Sequence, residues 1–344
     1  MFERLVHVET LRDYDSAAWS LSDSAGRRID YLRLSLTDRC NFRCLYCMPR
    51  DGMSFIPHNA ILSYEELYRL TGIFASLGVR HYKVTGGEPF CRKGAASFIT
   101  ELAARSGVDD VTVTTNGSLV EPYLNDLAEG GVSAVTFSCD ALEETTFNRI
   151  CRVHTKAQSI FGTMRFAAQL GLTVKINTVP LRGYNGAELV PLARHALENG
   201  YTIRFIELMP VGDGITFSGI PHAEVFELME KFFGTLRPVN RKMGNGPAMV
   251  YEVQGYPGFI GFIPAMTGKF CEACNRIRLT ASGFLKTCLW HGDGVDLRQA
   301  MRNGASDAAL TNLVIEAVNM KPAGHTFSFV PSPSQGFYMN SVGG

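Results

Sequence analysis

Between residues 31 and 208, six short apolar or β-branched segments alternate with longer stretches of helical periodicity. This repeated order predicts an α/β fold in which parallel strands are joined by crossover helices. The predicted strands are Tyr31–Thr37, His81–Thr85, Val111–Thr115, Ala134–Cys139, Val174–Val179 and Ile203–Leu208. The predicted helices are 64–77, 94–105, 121–129, 157–170 and 187–199, and their expected stop signals are Gly78, Gly107, Gly130, Gly171 and Gly200.

Each predicted strand carries polar residues on one face, because side chains alternate along a strand. In the second strand, for example, Tyr82 and Val84 lie opposite Lys83. The apolar faces must pack against the helices, so the polar faces must meet inside an open or partial barrel. Strands of a doubly wound sheet are apolar on both faces, and a closed eight-stranded barrel fills its interior with branched apolar residues. We therefore expect a partial six-stranded barrel around a large polar ligand.

The polar faces of these strands carry more cations than carboxylates. The cations expected in the barrel are Arg33, Lys83, Lys175 and Arg204, joined by Arg276 and Arg278 from the C-terminal part. Any one of them could be a solvated surface charge, but that interpretation does not suit four barrel-facing positions together. Because buried unpaired cations are costly, the pattern predicts a bound polyanion, and arginine binds phosphate in a bidentate manner.

The composition gives no sign of a nucleic-acid or membrane partner. Lysine plus arginine equals aspartate plus glutamate at 33 each, and 46% of the 344 residues are hydrophobic. A chain of this length suits one barrel with extensions. No apolar run approaches the length of a membrane span, and the first residues lack a signal-peptide pattern, so we expect a cytoplasmic protein.

We expect four segments along the chain. They are an N-terminal arm over residues 1–25, the barrel over residues 26–210, a C-terminal extension over residues 211–330 and a tail over residues 331–344 that ends in Gly-Gly. In the extension, the pattern predicts a loop over Gly212–Gly219, a helix over His222–Phe233, two strands within Met249–Ile263, a hairpin through Ala281-Ser282-Gly283, and helices near 296–303 and 307–318.

Six of the nine cysteines fall in two groups of three. The first group is Cys40, Cys44 and Cys47, spaced C-x3-C-x2-C just after the first strand, and the second is Cys271, Cys274 and Cys288. Thiolates this close together are metal ligands more often than disulfide partners in an intracellular enzyme. Three thiolates leave one position open in a zinc site or a four-cysteine iron–sulfur cluster. A structural zinc site is the alternative for each group, with Glu272 or His291 as a fourth ligand of the second.

The remaining cysteines, Cys91, Cys139 and Cys151, are expected to be small buried apolar residues. Directly after the second strand comes Gly86-Gly87-Glu88-Pro89. Two glycines at this place would let ligand groups approach the backbone, although any tight turn has the same composition.

The loop from Cys40 to Cys47 resembles the signature of the radical S-adenosylmethionine (SAM) enzymes, which have a partial (β/α)6 barrel of TIM type. The resemblance implies that the three thiolates hold a [4Fe-4S] cluster, whose fourth iron binds the amino and carboxylate groups of SAM. One electron from that cluster then yields a 5'-deoxyadenosyl radical. The SAM contacts implied in this way are Tyr46, Gly87, Ser138 and Met209.

More closely, the chain resembles the GTP 3',8-cyclase family of molybdenum cofactor biosynthesis. The resemblance rests on Gly26-Arg27, Arg33–Cys40, Thr114–Gly117, Lys175–Asn177, Arg204–Glu207, Cys274–Thr280 and the terminal Gly343-Gly344. It implies a radical SAM lyase that removes the ribose 3' hydrogen of GTP and joins the sugar radical to guanine C8. The product would be 3',8-cyclo-7,8-dihydroGTP.

The same resemblance implies roles for individual residues. Cys271, Cys274 and Cys288 would hold a second [4Fe-4S] cluster that meets the guanine. The implied GTP contacts are Arg33, Lys83, Thr114, Lys175, Arg276 and Arg278. Two positions depart from the family pattern, since arginine is commoner where Lys83 stands and leucine is usual where Cys139 stands. The tail is expected to reach into the active-site cavity.

The expected partners are GTP, SAM and a reductant protein of flavodoxin or ferredoxin type, with a homodimer as a further candidate assembly. Two alternatives stay open at this point. One is a peptide-modifying radical SAM maturase, which would not need a cavity lined with cations. The other is a non-enzymatic zinc-binding module, which would contain zinc rather than iron and sulfide.

Overall fold

The computed structural model describes residues 20–241, 243–268, 270–327 and 338–343. Most of the predicted N-terminal arm, residues 1–19, therefore lies outside the described residues. So do residues 331–337 and Gly344 of the predicted tail. Within the described ranges, no helix has the length and apolar character that a membrane crossing requires.

The described residues form one sheet of 12 strands. The strands are β1 (Tyr31–Ser35), β2 (His81–Thr85), β3 (Asp110–Thr115), β4 (Ala134–Ser138), β5 (Thr173–Thr178), β6 (Thr202–Ile206), β7 (Arg237–Pro238), β8 (Met249–Glu252), β9 (Phe259–Ile263), β10 (Arg276–Leu279), β11 (Phe284–Lys286) and β12 (Gly294–Asp296).

Helices connect the strands and cover the sheet. They are α1 (Tyr64–Ser76), α2 (Ala95–Ala103), α3 (Leu124–Glu129), α4 (Glu144–Cys151), α5 (Ala157–Gln169), α6 (Leu189–Glu198), α7 (His222–Phe233), α8 (Leu297–Arg302), α9 (Asp307–Asn319) and α10 (Met339–Val342). Short 3₁₀ turns precede α3 and α6, at Glu121–Tyr123 and Gly186–Glu188.

The sheet order is β12-β11-β10-β1-β2-β3-β4-β5-β6-β9-β8-β7. The six strands predicted for the barrel stand in chain order in its centre and are parallel to one another. The C-terminal part of the chain adds a parallel strand to each edge, β10 beside β1 and β9 beside β6. The barrel and the extension are therefore parts of one continuous sheet, whose hydrogen bonding ends at β12 and β7.

The outer faces of the strands form the core, as the alternation predicted. Leu32, Tyr82, Val135 and Ile203 are fully buried among the side chains of the surrounding helices. The first of these helices, α1, begins at a capping box in which Ser63 and Glu66 each bind the other's backbone N–H.

The predicted strands and helices are all present, with ends that differ by a few residues. The main omission is α4, which begins directly after β4 and is capped by the Glu143 carboxylate on the N–H groups of Thr145 and Thr146. Because glutamate is not one of the usual N-cap residues, its start has no clear sequence signal. The 3₁₀ turn over Gly212–Thr216 and the helix α10 were also absent from the sequence prediction.

The predicted glycines follow their helices. Gly78, Gly107, Gly171 and Gly200 have positive φ, whereas Gly130 is the C-cap of α3 and is followed by the left-handed Gly131 (φ 84°). Gly130 instead packs closely against α2, where a Cβ would lie 2.7 Å from Thr100 Cβ.

The predicted arm and the isolated cysteines give two further findings, and the expectation for Cys91 needs correction. The described end of the predicted arm packs on the barrel, since Leu21 is buried and its N–H donates to Leu77 O at 3.1 Å. Of the three isolated cysteines, Cys139 and Cys151 are buried, but Cys91 is exposed. Cys91 lies in the 3₁₀ turn after Gly86-Gly87, where the chain passes over the surface.

Candidate active site

The polar strand faces enclose a cavity of about 710 Å³. This volume is typical of sites that bind cofactors and drug-sized ligands. All sixteen site residues predicted from the sequence line this cavity. Those that line it are Arg33, Cys40, Cys44, Tyr46, Cys47, Lys83, Gly87, Thr114, Ser138, Lys175, Met209, Cys271, Cys274, Arg276, Arg278 and Cys288.

The two cysteine groups lie at opposite ends of the barrel strands. Cys40 follows the carboxyl end of β1, whereas Cys274 precedes the amino end of β10, and these two strands are parallel neighbours. At about 3.3 Å per residue, the groups are separated on the order of 15 Å along the strand direction. A ligand between them can therefore approach both.

The first cysteine loop is held by backbone hydrogen bonds from two directions. Arg43 N–H donates to Cys151 O at 3.0 Å and Leu45 N–H to Ile150 O at 2.9 Å, so the end of α4 positions Cys44. From the other side, Gly87 N–H donates to Thr37 O at 2.6 Å. The helix that the sequence did not reveal thus supports the loop with the clearest sequence signature.

The thiols of this loop suit a polynuclear iron centre. All nine cysteines are free, and the three in the loop are half-exposed toward the cavity. Burial, and then the nearby Cys44, raises the pKa of Cys40 to about 12. Three thiolates at this place therefore require a bound cation. Among the described residues, no three His, Cys, Asp or Glu side chains are gathered as a single metal ion would need.

Two glycines follow β2 because the chain packs closely there, whereas the sequence suggested that they allow a ligand to approach the backbone. A Cβ on Gly86 would lie 2.7 Å from Thr37 O, and one on Gly87 would overlap the Arg39 carbonyl. Both glycines are therefore required for close packing against the cysteine loop. They also line the cavity, so backbone approach by a ligand is compatible with this packing.

Glu88, in the same motif, was not predicted as a site residue. Its buried carboxylate accepts hydrogen bonds from Thr115 Oγ1 at 2.8 Å and Asn116 N–H at 2.7 Å. Asn116 in turn donates to Asn41 Oδ1 at 2.8 Å, inside the cysteine loop. Burial raises the pKa of Glu88 to about 7 despite these hydrogen bonds. Glu88 therefore joins the end of β3 to the loop.

Tyr46 is oriented by a carboxylate that the sequence did not single out. Its phenol donates to Asp140 Oδ2 at 2.8 Å, and Asp140 Oδ1 accepts from Val179 N–H at 2.8 Å. Burial raises the pKa of Asp140 to about 6. Tyr46 lines the cavity at the carboxyl ends of the strands together with Ser138 and Met209, which were predicted with it.

Inside the barrel, two cations share one hydroxyl oxygen. Lys83 Nζ and Arg204 Nη2 each donate to Thr136 Oγ1 at 3.1 Å. Lys83 is only 7% exposed, and its pKa is lowered well below the usual value by burial and then by Arg204 and Arg33. Burial also lowers the pKa of Arg204 to about 10.

Only part of this positive charge is offset, by Asp110, which acts electrostatically on Lys83 and Lys175. Among the described residues, no ion pair includes Lys83, Lys175 or Arg204. Burial is the largest cause of the lowered pKa of Lys83 and of Lys175. Repulsion from Arg204 lowers both pKa values further. A polyanionic ligand would relieve this repulsion.

Several buried polar atoms of the site have no hydrogen-bond partner among the described residues. They include Thr114 Oγ1, Asn177 Oδ1 and Arg204 Nε. An unsatisfied buried polar group costs about 1–3 kcal/mol. Their presence in one cavity fits a polar ligand with both donors and acceptors. Thr114 was predicted as a contact, whereas Asn177 was recognised only as part of the polar face.

The amino end of the cavity is covered by the extension. Asn245 Nδ2 donates to Asp110 Oδ2 at 2.9 Å, and Lys175 Nζ donates to Met243 O at 3.4 Å. Asp110, at the start of β3, also lines the cavity and was not predicted. No local pattern distinguishes it from a solvated aspartate before a strand.

The second cysteine group lies in a more positive environment. Arg27 Nη1 donates to Cys271 O at 2.8 Å, and Arg276 Nη2 donates to Cys274 Sγ at 3.9 Å. Burial would raise the pKa of Cys274, but Arg276 and Lys321 lower it to about 7. A thiolate forms readily here, which suits metal binding by this group of three cysteines.

The tail occupies part of the cavity. Asn340, which is buried, donates to Asp38 O at 2.7 Å. Gly343 O accepts hydrogen bonds from Arg278 Nη1 at 2.7 Å and Arg33 Nη2 at 3.2 Å. A Cβ on Gly343 would lie 2.7 Å from Thr85 Cγ2. The chain end therefore contacts two of the predicted GTP-binding arginines.

The sequence matches two family models and several full-length relatives. The Radical SAM superfamily model matches residues 34–196, and the Molybdenum Cofactor Synthesis C model matches residues 201–327. The GTP 3',8-cyclase of Clostridium perfringens (strain 13 / Type A) is 38% identical over 324 residues, which are 94% of this chain and 100% of the relative. The chain belongs to the GTP 3',8-cyclase family.

A second relative agrees with this membership. The GTP 3',8-cyclase of Thermodesulfovibrio yellowstonii is 40% identical over 331 residues, or 94% of this chain and 100% of the relative. The family position confirms the partial radical SAM barrel with a C-terminal extension, and it implies one [4Fe-4S] cluster and SAM as cofactors.

Solved structures show the fold alone. Streptococcus suis SuiB bound to S-adenosylmethionine superposes with a TM-score of 0.57 at 14% identity. The match covers 76% of this chain and 60% of SuiB, so the chain spans less than two thirds of that protein.

Proposed function

We propose that this member of the family converts GTP to 3',8-cyclo-7,8-dihydroGTP, the first step of molybdenum cofactor biosynthesis. The observation that carries the proposal is one cation-lined cavity with a group of three free cysteines at each end. A peptide-modifying maturase would not need the buried cations. A structural zinc module would not need a cavity of this volume or its unsatisfied polar atoms.

Cys40, Cys44 and Cys47 would hold the [4Fe-4S] cluster at the carboxyl ends of the strands, with SAM beside Tyr46, Gly87, Ser138 and Met209. When bound, the cluster and SAM together supply a one-electron source and a radical that can take the ribose 3' hydrogen. The protein orients the bound groups and excludes water from the cavity. The Tyr46–Asp140 hydrogen bond holds the side chain of the aromatic residue that lies between Cys44 and Cys47 in the sequence.

At the other end, Cys271, Cys274 and Cys288 would hold a second [4Fe-4S] cluster near the guanine. The support is the donor set itself, three sulfurs beside Arg276 and Lys321. GTP would lie between the two cysteine groups. That placement brings the sugar within reach of the SAM end and the base within reach of the extension.

The cations of the barrel bind the triphosphate in this proposal. Lys83 and Lys175 are compact ammonium groups, whereas Arg33, Arg276 and Arg278 present planar guanidinium groups that suit bidentate contacts with phosphate. Thr114 Oγ1 has no other described partner and is a candidate donor or acceptor for GTP. Holding the nucleotide at several points orients the ribose for hydrogen removal.

The extension and tail exclude water from the reacting atoms. Residues 243–249 line the cavity from the side of the extension, and Met339 and Asn340 line it near the first cysteine group. A radical reaction needs this shelter because solvent and side reactions compete with the intended one.

The proposed electron donor is a flavodoxin- or ferredoxin-type protein, because such carriers transfer single electrons at low potential. A cytoplasmic location and a homodimer belong to the same proposal. Sedimentation of the holoenzyme and cell fractionation test these two points. A monomer at all concentrations, or a protein found outside the cytoplasm, would contradict them.

The activity is tested with anaerobically prepared protein that receives GTP, SAM and dithionite. With GTP deuterated at the ribose 3' position, deuterium should appear in 5'-deoxyadenosine and the cyclised nucleotide should accumulate. GTP deuterated at the ribose 2' position is the matched control and should transfer none. Cleavage of SAM without deuterium transfer from either substrate would refute the proposed reaction.

A further inference from the structure

The second cysteine group is surrounded by cations. Arg276 contacts Cys274 Sγ directly, and Arg278, Lys286 and Lys321 each interact electrostatically with at least one thiol of the group. The carboxylate of Asp293 also interacts electrostatically with Lys286 and offsets part of the positive charge of the lysine. The net local charge around the three thiols is therefore positive before they ionise.

Lys321 has a special place among these cations. It is 5% exposed, and its Nζ donates to Arg276 O at 2.9 Å and to Thr287 O at 2.5 Å. These carbonyls belong to the residue two positions after Cys274 and to the residue directly before Cys288. Lys321 therefore ties together the two segments that carry these thiols and fixes a positive charge between them.

The first cysteine group has surroundings of mixed charge. Two arginines reach the loop at backbone carbonyls, Arg43 at Cys40 O and Arg152 at Met48 O. The largest charge effects on Cys40 and Cys47 nevertheless come from neighbouring thiols and from the carboxylates of Glu88 and Asp213. Neutral donors approach the Cys40 sulfur, namely Phe42 N–H at 3.4 Å and Asn116 Nδ2 at 3.8 Å.

We propose that a [4Fe-4S] cluster held by Cys271, Cys274 and Cys288 has a higher reduction potential than one held by Cys40, Cys44 and Cys47, and that Lys321 is the residue that fixes much of this difference. The inference rests on the second cluster of the proposed function. One-electron reduction adds a negative charge to the cluster and its thiolates and breaks no bond. Fixed positive charge nearby stabilises that reduced form, and carboxylates destabilise it. Electrons supplied one at a time therefore reach the second site first.

Two full-length variants isolate the sites. One carries Cys40→Ala, Cys44→Ala and Cys47→Ala, and the other carries Cys271→Ala, Cys274→Ala and Cys288→Ala. Each is reconstituted anaerobically with iron and sulfide and titrated with dithionite under redox mediators, without GTP or SAM. Electron paramagnetic resonance reports the reduced cluster. Lys321→Met removes the charge at similar length, and Lys321→Arg retains it.

The chain that keeps the second site should be reduced at the higher potential. At a fixed potential, Lys321→Met should lower the ratio of reduced to oxidised cluster about tenfold, which corresponds to about 59 mV for one electron. Lys321→Arg should restore most of the ratio, and neither change should affect the cluster of the first site.

Equal or reversed potentials in the two chains with Lys321 intact would overturn the inference, even if Lys321→Met fails to assemble a cluster. An unchanged ratio in a loaded Lys321→Met variant would also overturn it. If the second site takes up no iron while the first does, the proposed second cluster itself fails, and this result is separate from any value of the potential.

Discussion

The phenol of Tyr46 donates a 2.8 Å hydrogen bond to Asp140, a carboxylate that lies 94 positions further along the chain. Tyr46 lies between Cys44 and Cys47 in the sequence, and its phenol is held by a residue two positions after the end of β4. This bond therefore connects the geometry of the loop with that of the barrel.

We expect Tyr46→Phe and Asp140→Asn to weaken SAM binding by similar factors, because each removes the same hydrogen bond. A net loss of about 0.5–1.5 kcal/mol corresponds to roughly 2- to 12-fold in Kd. Calorimetry of the anaerobic, cluster-loaded protein measures it. The double variant should be little worse than either single one, and additive losses would contradict a shared role.

Glu88 should make the stability of the protein depend on pH. Its folded-state pKa is raised from 4.5 to about 7, so the folded protein binds this proton more tightly than the unfolded chain. The resulting stabilisation is present below pH 4.5 and is lost as the pH rises to about 7. Thermal unfolding of the reduced, metal-free protein should show this fall, and Glu88→Gln should flatten it. An equal slope in the variant would show that other groups cause it.

Thr136→Val should weaken GTP binding without affecting SAM binding. The change removes the hydroxyl that accepts hydrogen bonds from both Lys83 and Arg204, so the two cations lose a shared anchor. We expect Kd for GTP to rise about three- to tenfold, which lies within the net value of roughly 0.5–1.5 kcal/mol for one ordinary hydrogen bond. Thr112→Val is the matched control, since Thr112 also lines the cavity but binds only Tyr82 O, at 3.5 Å. Equal effects of the two changes would argue against the anchor.

Deleting Gly343 and Gly344 should lower the yield of cyclised product while SAM cleavage without GTP, cluster content and thermal stability stay unchanged. Gly343 O accepts hydrogen bonds from Arg278 and Arg33, so the deletion frees two arginines of the GTP site. Product and 5'-deoxyadenosine are measured in the same reaction. A truncated protein with full cyclisation would show that these contacts are dispensable.

The alternation of polar and apolar residues was enough to predict the six barrel strands and the inward cations Lys83, Lys175 and Arg204. It succeeded because side chains alternate along a strand with a period of two, and because burying three cations without a compensating anion costs free energy. The cysteine spacings likewise pointed to two candidate metal-binding segments.

What the sequence could not show depends on contacts between distant segments. Glu88 is recognisable as part of a motif, but its partners Thr115 and Asn116 lie on another strand. Asp110 becomes part of the site only because Asn245 reaches it from the extension. The glycines before Glu88 were identified correctly, yet their close approach is to the backbone of the cysteine loop and not only to a ligand.

The pairing of β1 with β10 also has a consequence for synthesis of the chain. Tyr31 pairs with Arg276, so the partner of β1 is made 245 residues later (276 − 31). At about 5–20 residues per second, this edge of the nascent sheet stays without its final neighbour for roughly 12–50 s. During that interval the first cysteine loop has already left the ribosome, while the segment that covers the far end of the barrel is still being translated.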